Sequence, residues 1–111
     1  MKLSYKNKKL EKVCKVERAA ERELPTGLHV KKLFQRLSEL AAFNCLNEVP
    51  TTPPFRRHKL GGERINEWAI TIKNGWRLCF SAVSDAGEPI QEPDLQKITS
   101  IKIDAIEDYH D

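Results

Sequence analysis

The sequence predicts an α+β domain, with two N-terminal helices packed on one face of a mainly antiparallel β-sheet. Three observations carry this reading. The first 46 residues show helical spacing, a proline-rich break follows at 49–54, and beyond it apolar residues alternate on both sides of Lys73-Asn74-Gly75. A chain of 111 residues has the size of one domain, 1–111, with room for a single core.

Residues 6–23 form the first predicted helix, with Leu10, Val13, Cys14, Glu17 and Ala20 at three-four spacing. Pro25-Thr26-Gly27 breaks the chain. Residues 28–46 form the second helix: Val30, Leu33, Phe34, Leu37, Leu40 and Ala41 make its apolar face, while Lys31, Lys32, Arg36 and Glu39 point elsewhere. His29 has no partner in view. The short break makes the pair an antiparallel helical hairpin. Val49-Pro50-Thr51-Thr52-Pro53-Pro54 is an extended connector, since proline suits neither a helix interior nor a central strand.

The hairpin register follows from burial. A two-residue loop would set Lys73 opposite Trp76 and scatter the large residues over both faces. A three-residue loop, with Gly75 left-handed, gathers Trp68, Ile70, Ile72, Trp76, Leu78 and Phe80 on one face. Arg77 then stands on the other face among Ala69, Thr71, Cys79 and Ser81. After a polar loop at 84–97, a last strand is expected at about 98–106, with Ile101, Ile103 and Ala105 inward and Ser100, Lys102 and Asp104 outward. If that phase continues, Asp108 and His110 fall on the Arg77 face, and Tyr109 falls on the core side unless the strand bends.

Composition narrows the function. No stretch is long and apolar enough for a membrane helix, and the basic start of the chain lacks a following apolar run, so the expected location is the cytoplasm, with no membrane partner. Cys14, Cys45 and Cys79 lack zinc-ligand spacing and read as reduced thiols. The net charge of +3 is unevenly spread: residues 1–50 carry 11 basic and 6 acidic groups, residues 51–80 carry 6 and 2, and residues 81–111 carry 2 and 8. The first 80 residues thus form a basic body suited to phosphate, although surface lysine also serves solubility.

Cutting RNA without a metal needs a base for the 2′-hydroxyl, cations for the phosphate and an acid for the leaving oxygen. His58, Arg64, Arg77, Asp108, Tyr109 and His110 supply these types around one open sheet face. Arg64 also stands beside Glu63 and Glu67, where a surface ion pair is the alternative.

These residues lie in a pattern: His58-Lys59-Leu60-Gly61-Gly62-Glu63-Arg64, Trp68-Ala69-Ile70-Thr71-Ile72, Trp76-Arg77-Leu78-Cys79-Phe80 and a closing Asp108-Tyr109-His110. The pattern resembles the HigB branch of the RelE/ParE toxin superfamily, most strongly over residues 55–110. The resemblance implies a RelE/ParE-like fold in which a short strand and the helices precede the sheet. It also implies a type II toxin that cuts mRNA in the A site of the 70S ribosome, without a cofactor, and is silenced by a cognate helix-turn-helix antitoxin of HigA type. By the same resemblance His58, Arg77, Asp108, Tyr109 and His110 are the catalytic candidates. Arg56, Arg57, Lys59, Arg64 and Lys73 are the RNA-binding candidates. The sequence departs from the pattern at Gly61, where a basic residue is common; Lys59 or the Arg56-Arg57 pair would have to replace that charge. Two rival readings are a ParE-type toxin that binds DNA gyrase without nuclease activity, and an inactive RNA-binding module.

Overall fold

A computed structural model describes residues 1–25, 28–73, 75–91 and 93–109. Strand β1 (Lys2–Tyr5) opens the chain, followed by helices α1 (Lys8–Lys15), α2 (Glu17–Glu23) and α3 (Val30–Ala42). Strands β2 (His58–Lys59), β3 (Glu67–Lys73), β4 (Trp76–Val83) and β5 (Ser100–Asp108) complete the sheet. Its order is β1-β5-β4-β3-β2, with β1 parallel to β5 and every other pair antiparallel.

The first helical stretch departs from the expectation. Asn7 caps α1, its side-chain oxygen accepting from the Leu10 N–H at 2.8 Å. The helix then ends at Val16, which is extended (φ −119°, ψ 110°), and α2 starts anew. One continuous helix would have carried Glu17 to the buried side. The break instead leaves Glu17 exposed and buries Ala19 and Ala20. In α3 the expected apolar stripe holds at Leu33, Leu37 and Leu40, but Arg36 is buried with them, at 3% exposure. It is tolerable there because it is paired: Nε donates to the Thr71 carbonyl at 3.0 Å, Nη1 meets Glu39 at 2.7 Å, and the guanidinium lies 5.0 Å from the Phe55 ring centre.

The core is the one the alternation predicts. Ile70, Ile72, Leu78, Phe80, Ile101 and Ile103 are fully buried, and Trp68 nearly so, against Leu33, Leu37 and Leu40 of α3 and Cys14 of α1. Each such side chain contributes about 1.5–3 kcal/mol by leaving water. The predicted hairpin register holds at Trp68↔Phe80, Ile70↔Leu78 and Thr71↔Arg77. At the turn the expectation fails: Lys73, not Ile72, pairs with Trp76, as in a two-residue loop, and an irregularity between Thr71 and Lys73 absorbs the additional residue, so that Ile72 still lies in the core. Gly75 has φ +79°, the left-handed conformation the turn requires.

Strand β5 corrects the predicted phase. Cys79 pairs with Ala105 but Phe80 pairs with Ile103, so Asp104 is a bulge. Ala105 therefore lies on the open face, in a small cluster with Leu60, Ala69 and Cys79, and not in the inner row. The bulge has a clear cause. An unbroken phase would turn Ile106 outward and the Glu107 carboxylate inward; the shift packs Ile106 against the core and leaves Glu107 on the open side, avoiding a buried charge. No described helix is long and apolar enough to cross a membrane.

Candidate active site

The bulge decides which groups meet. Downstream of Asp104, Glu107 pairs with Arg77 across β4 and β5, and Asp108 pairs with Trp76. Paired residues share a face, so Asp108 lies in the row of Trp76 and not, as the unbroken phase implied, on the Arg77 face. Tyr109, just past the strand end, donates its backbone N–H to the Gly75 carbonyl at 2.9 Å. Its ring lies against the Arg77 guanidinium, 5.2 Å from ring centre to carbon, and its hydroxyl reaches to 3.4 Å from the Thr71 Oγ1. The strand bends, and Tyr109 joins the Arg77 face. His110 lies outside the described residues.

Arg77 is held from two sides. Besides the Tyr109 ring, its Nε donates to Glu107 Oε1 at 2.7 Å, and Nη2 lies 2.5 Å from the same oxygen as an ion pair. The same oxygen accepts from Arg64 Nη1 at 2.7 Å and lies 3.4 Å from the Cys79 thiol. Arg64 turns its other donors on Glu67, at 2.8 and 3.1 Å. The ion pair read as the alternative for Arg64 is thus its actual state, in a chain Glu67–Arg64–Glu107–Arg77. Burial alone would raise the Glu107 carboxyl, but hydrogen bonds from Arg64, Arg77 and Cys79 outweigh it and hold it below the usual carboxylate range. Bonds to Glu67 and then Glu107 raise Arg64 above its ordinary value. Burial, reinforced by Glu107, pushes the Cys79 thiol up to about 12, so this cysteine stays a thiol.

His58 is exposed on β2, opposite Ala69, and therefore on the open face. Its Nδ1 sits 2.9 Å from the Arg56 carbonyl. A carbonyl only accepts, so Nδ1 carries the proton in that bond, and in the neutral ring Nε2 is left as the base. Thr71 lies diagonally from His58 across β2 and β3, a spacing of roughly 7–8 Å in such a ladder. The Tyr109 hydroxyl stands beside that same residue, on the face that His58 shares.

The RNA-binding candidates divide. Lys59 pairs with Trp68 in register, on the side away from His58, its ammonium 5.8 Å from the indole centre. Arg57 is spent on structure: Nε donates to the Val49 carbonyl at 2.8 Å, and the guanidinium lies 5.4 Å from the Trp68 ring. Burial lowers its pKa. Arg56 is exposed, with a left-handed backbone at φ +53°. Lys73 has its ammonium 2.8 Å from His29 Nε2, so His29 does have a partner, one that sequence separation concealed. Among the described residues no cluster of His, Cys, Asp and Glu could hold a metal ion.

The fold has counterparts among solved structures. The YoeB/ParE toxin from Agrobacterium tumefaciens superposes with a TM-score of 0.57 at 11% identity, over 99% of this chain and 100% of that one. A histidine-to-glutamine variant of YafQ from E. coli superposes with a TM-score of 0.56 at 14% identity, over 96% of this chain and 90% of that one. The chain has their fold. The sequence itself matches no family model and no curated protein.

Proposed function

We propose that the protein is the toxin of a type II toxin–antitoxin pair and a ribosome-dependent endoribonuclease of HigB type that cuts mRNA in the A site. The observation that supports this best is that Tyr109, Arg77 and His58 lie on one open sheet face, the residue types that a hydroxyl, a phosphate clamp and a base call for. In the reaction, the 2′-hydroxyl gives up its proton and attacks the adjacent phosphorus. The P–O5′ bond breaks, leaving a 2′,3′-cyclic phosphate, and the departing 5′-oxygen takes a proton. His58, Tyr109 and His110 handle these protons, with Asp108 close behind in sequence. Arg77 stabilises the phosphate charge through Nη1, the nitrogen turned to neither of its Glu107 contacts. The basic helices hold ribosomal RNA, and a HigA-type antitoxin with an acidic surface covers the cationic face.

One observation favours the second reading, a ParE-type gyrase-binding toxin: Glu107 already neutralises the Arg77 fork. Single-turnover cleavage on programmed ribosomes separates the two. His58→Gln should slow cleavage about a hundredfold to ten-thousandfold without changing thermal melting. Absence of any mRNA cleavage by the intact protein, together with inhibition of gyrase supercoiling, would move it to the ParE-type reading.

A further inference from the structure

Beside Tyr109 lies an open cleft of about 510 Å³. This volume falls within the range of small-ligand sites. Helix α3 contributes Lys32 and Arg36, the connector contributes Pro53, Pro54 and Arg56, and the hairpin contributes Ile72 and Lys73. The lining holds four cationic side chains and no carboxylate. Arg36 is committed to Glu39 and Thr71, but the other three are differently placed. Lys32 contacts the neutral Gln35 oxygen at 3.3 Å, and Lys73 meets the His29 ring. Three cations brought to one cleft without a counter-charge repel one another, and an anionic ligand relieves that repulsion. The exposed Pro53 and Pro54 give the cleft an apolar wall, which a bare phosphate would not use.

We propose that this cleft is a nucleotide subsite for single-stranded RNA, in which Lys32, Arg56 and Lys73 hold a backbone phosphate and the exposed Pro53-Pro54 wall takes the attached base. The choice of RNA over an acidic peptide follows from Tyr109. This residue lines the cleft and also lies against Arg77, so a chain with one phosphate at Arg77 runs past the ring directly into the cleft. The proposal rests on the ribonuclease reading only for the identity of the strand; the cleft's preference for a phosphate joined to a base stands apart from any cleavage.

The probe is a labelled 2′-O-methyl RNA tetranucleotide, which has no free attacking hydroxyl, with affinity read by fluorescence anisotropy across a salt series. Lys32→Gln and Lys73→Gln should each weaken binding about two- to fivefold, as expected for partly exposed charges, and the double variant about tenfold. The slope of log K against log salt should fall by about 0.7 for each charge removed. An abasic sugar-phosphate probe should bind more weakly than the nucleotide. Unchanged affinity and slope in the double variant would overturn the proposal, as would an equal loss with Lys12→Gln on α1, which would show diffuse attraction. A hexaglutamate peptide that binds more tightly than the RNA and loses affinity in the same variants would overturn it in favour of a protein partner. Amide NMR spectra of each variant show whether the fold is intact, and Lys32→Arg should restore binding if charge is what matters. Cleft-dependent RNA binding in a protein that cleaves nothing on the ribosome would uphold the cleft and sink the nuclease. Normal cleavage with cleft-independent binding would do the reverse.

Discussion

Two groups of cations flank Tyr109, and the fold treats them in opposite ways. Arg64 and Arg77 are tied by Glu67 and Glu107 into an alternating chain whose bonds run from 2.5 to 3.1 Å. Lys32, Arg56 and Lys73 line a cleft without a carboxylate. The difference teaches what each group is for. Alternating charge fixes geometry: Arg77 cannot swing away from the Tyr109 ring while Glu107 holds its Nε/Nη2 edge. Uncompensated charge costs stability and is retained where a ligand completes it. On the proposed reading, one region positions a phosphate at the reacting groups, and the other draws the strand in.

The largest expected effect separates the two regions by activity. Arg77→Ala should lower single-turnover mRNA cleavage about a hundredfold to a thousandfold, as removal of one transition-state donor does elsewhere. Lys32→Gln should lower it only by the few-fold loss of strand binding. Equal effects of the two, measured on programmed ribosomes, would erase the distinction between positioning and attraction.

Glu107→Gln should act on stability and binding in opposite directions. It removes the carboxylate between two arginines, which costs about 1 kcal/mol after discounting for solvent screening and lowers Tm by several degrees. It also frees the Arg77 fork, so the RNA tetranucleotide should bind more tightly. Acidification tests the same group. The folded-state pKa of Glu107 is depressed below the ordinary 4.5, so its stabilisation is fully present above that value and is lost as pH falls through the folded value. Melting curves of Glu107→Gln should accordingly fall less steeply below pH 4.5 than those of the unaltered protein. Parallel acid limbs would show that Glu107 is not a stabilising link.

The smallest effect concerns Arg56. Its φ of +53° is uncomfortable for any residue but glycine. Arg56→Gly should raise stability by up to about 1 kcal/mol while weakening RNA binding about two- to fivefold. A lower Tm, measured by calorimetry, would mean that the arginine side chain braces the connector.

Most of the fold was legible because two periods in the sequence are clean. Trp68 and Ile70 can share a face with Leu78 and Phe80 in only one strand register, and Leu33, Leu37 and Leu40 leave one face for α3. What could not be read were local departures from those periods. The extended residue at Val16 split a helix, a bulge at Asp104 exchanged Ala105 for Ile106 in the core, and β2 is too short at two residues to carry a pattern. The site inherited these limits. Arg77 was placed on the right face by alternation alone and His58 was singled out by its residue type and motif, whereas Glu107 was missed and Asp108 misplaced because the bulge lies between them and Ile103. An apolar Ile106 out of phase with Ile101 and Ile103 was the one available signal. Lys32 and Arg36 looked like solvated helix positions; only the packing of α3 beside the connector turns one toward a cleft and buries the other.

The measurement that tests the account most directly is single-turnover cleavage by Tyr109→Phe on programmed ribosomes, with thermal melting alongside. The substitution keeps the ring against Arg77 and removes only the hydroxyl beside Thr71, so the melting temperature should hold. The account predicts a rate at least about a hundredfold lower. Full-rate cleavage by a stably folded Tyr109→Phe protein would contradict it.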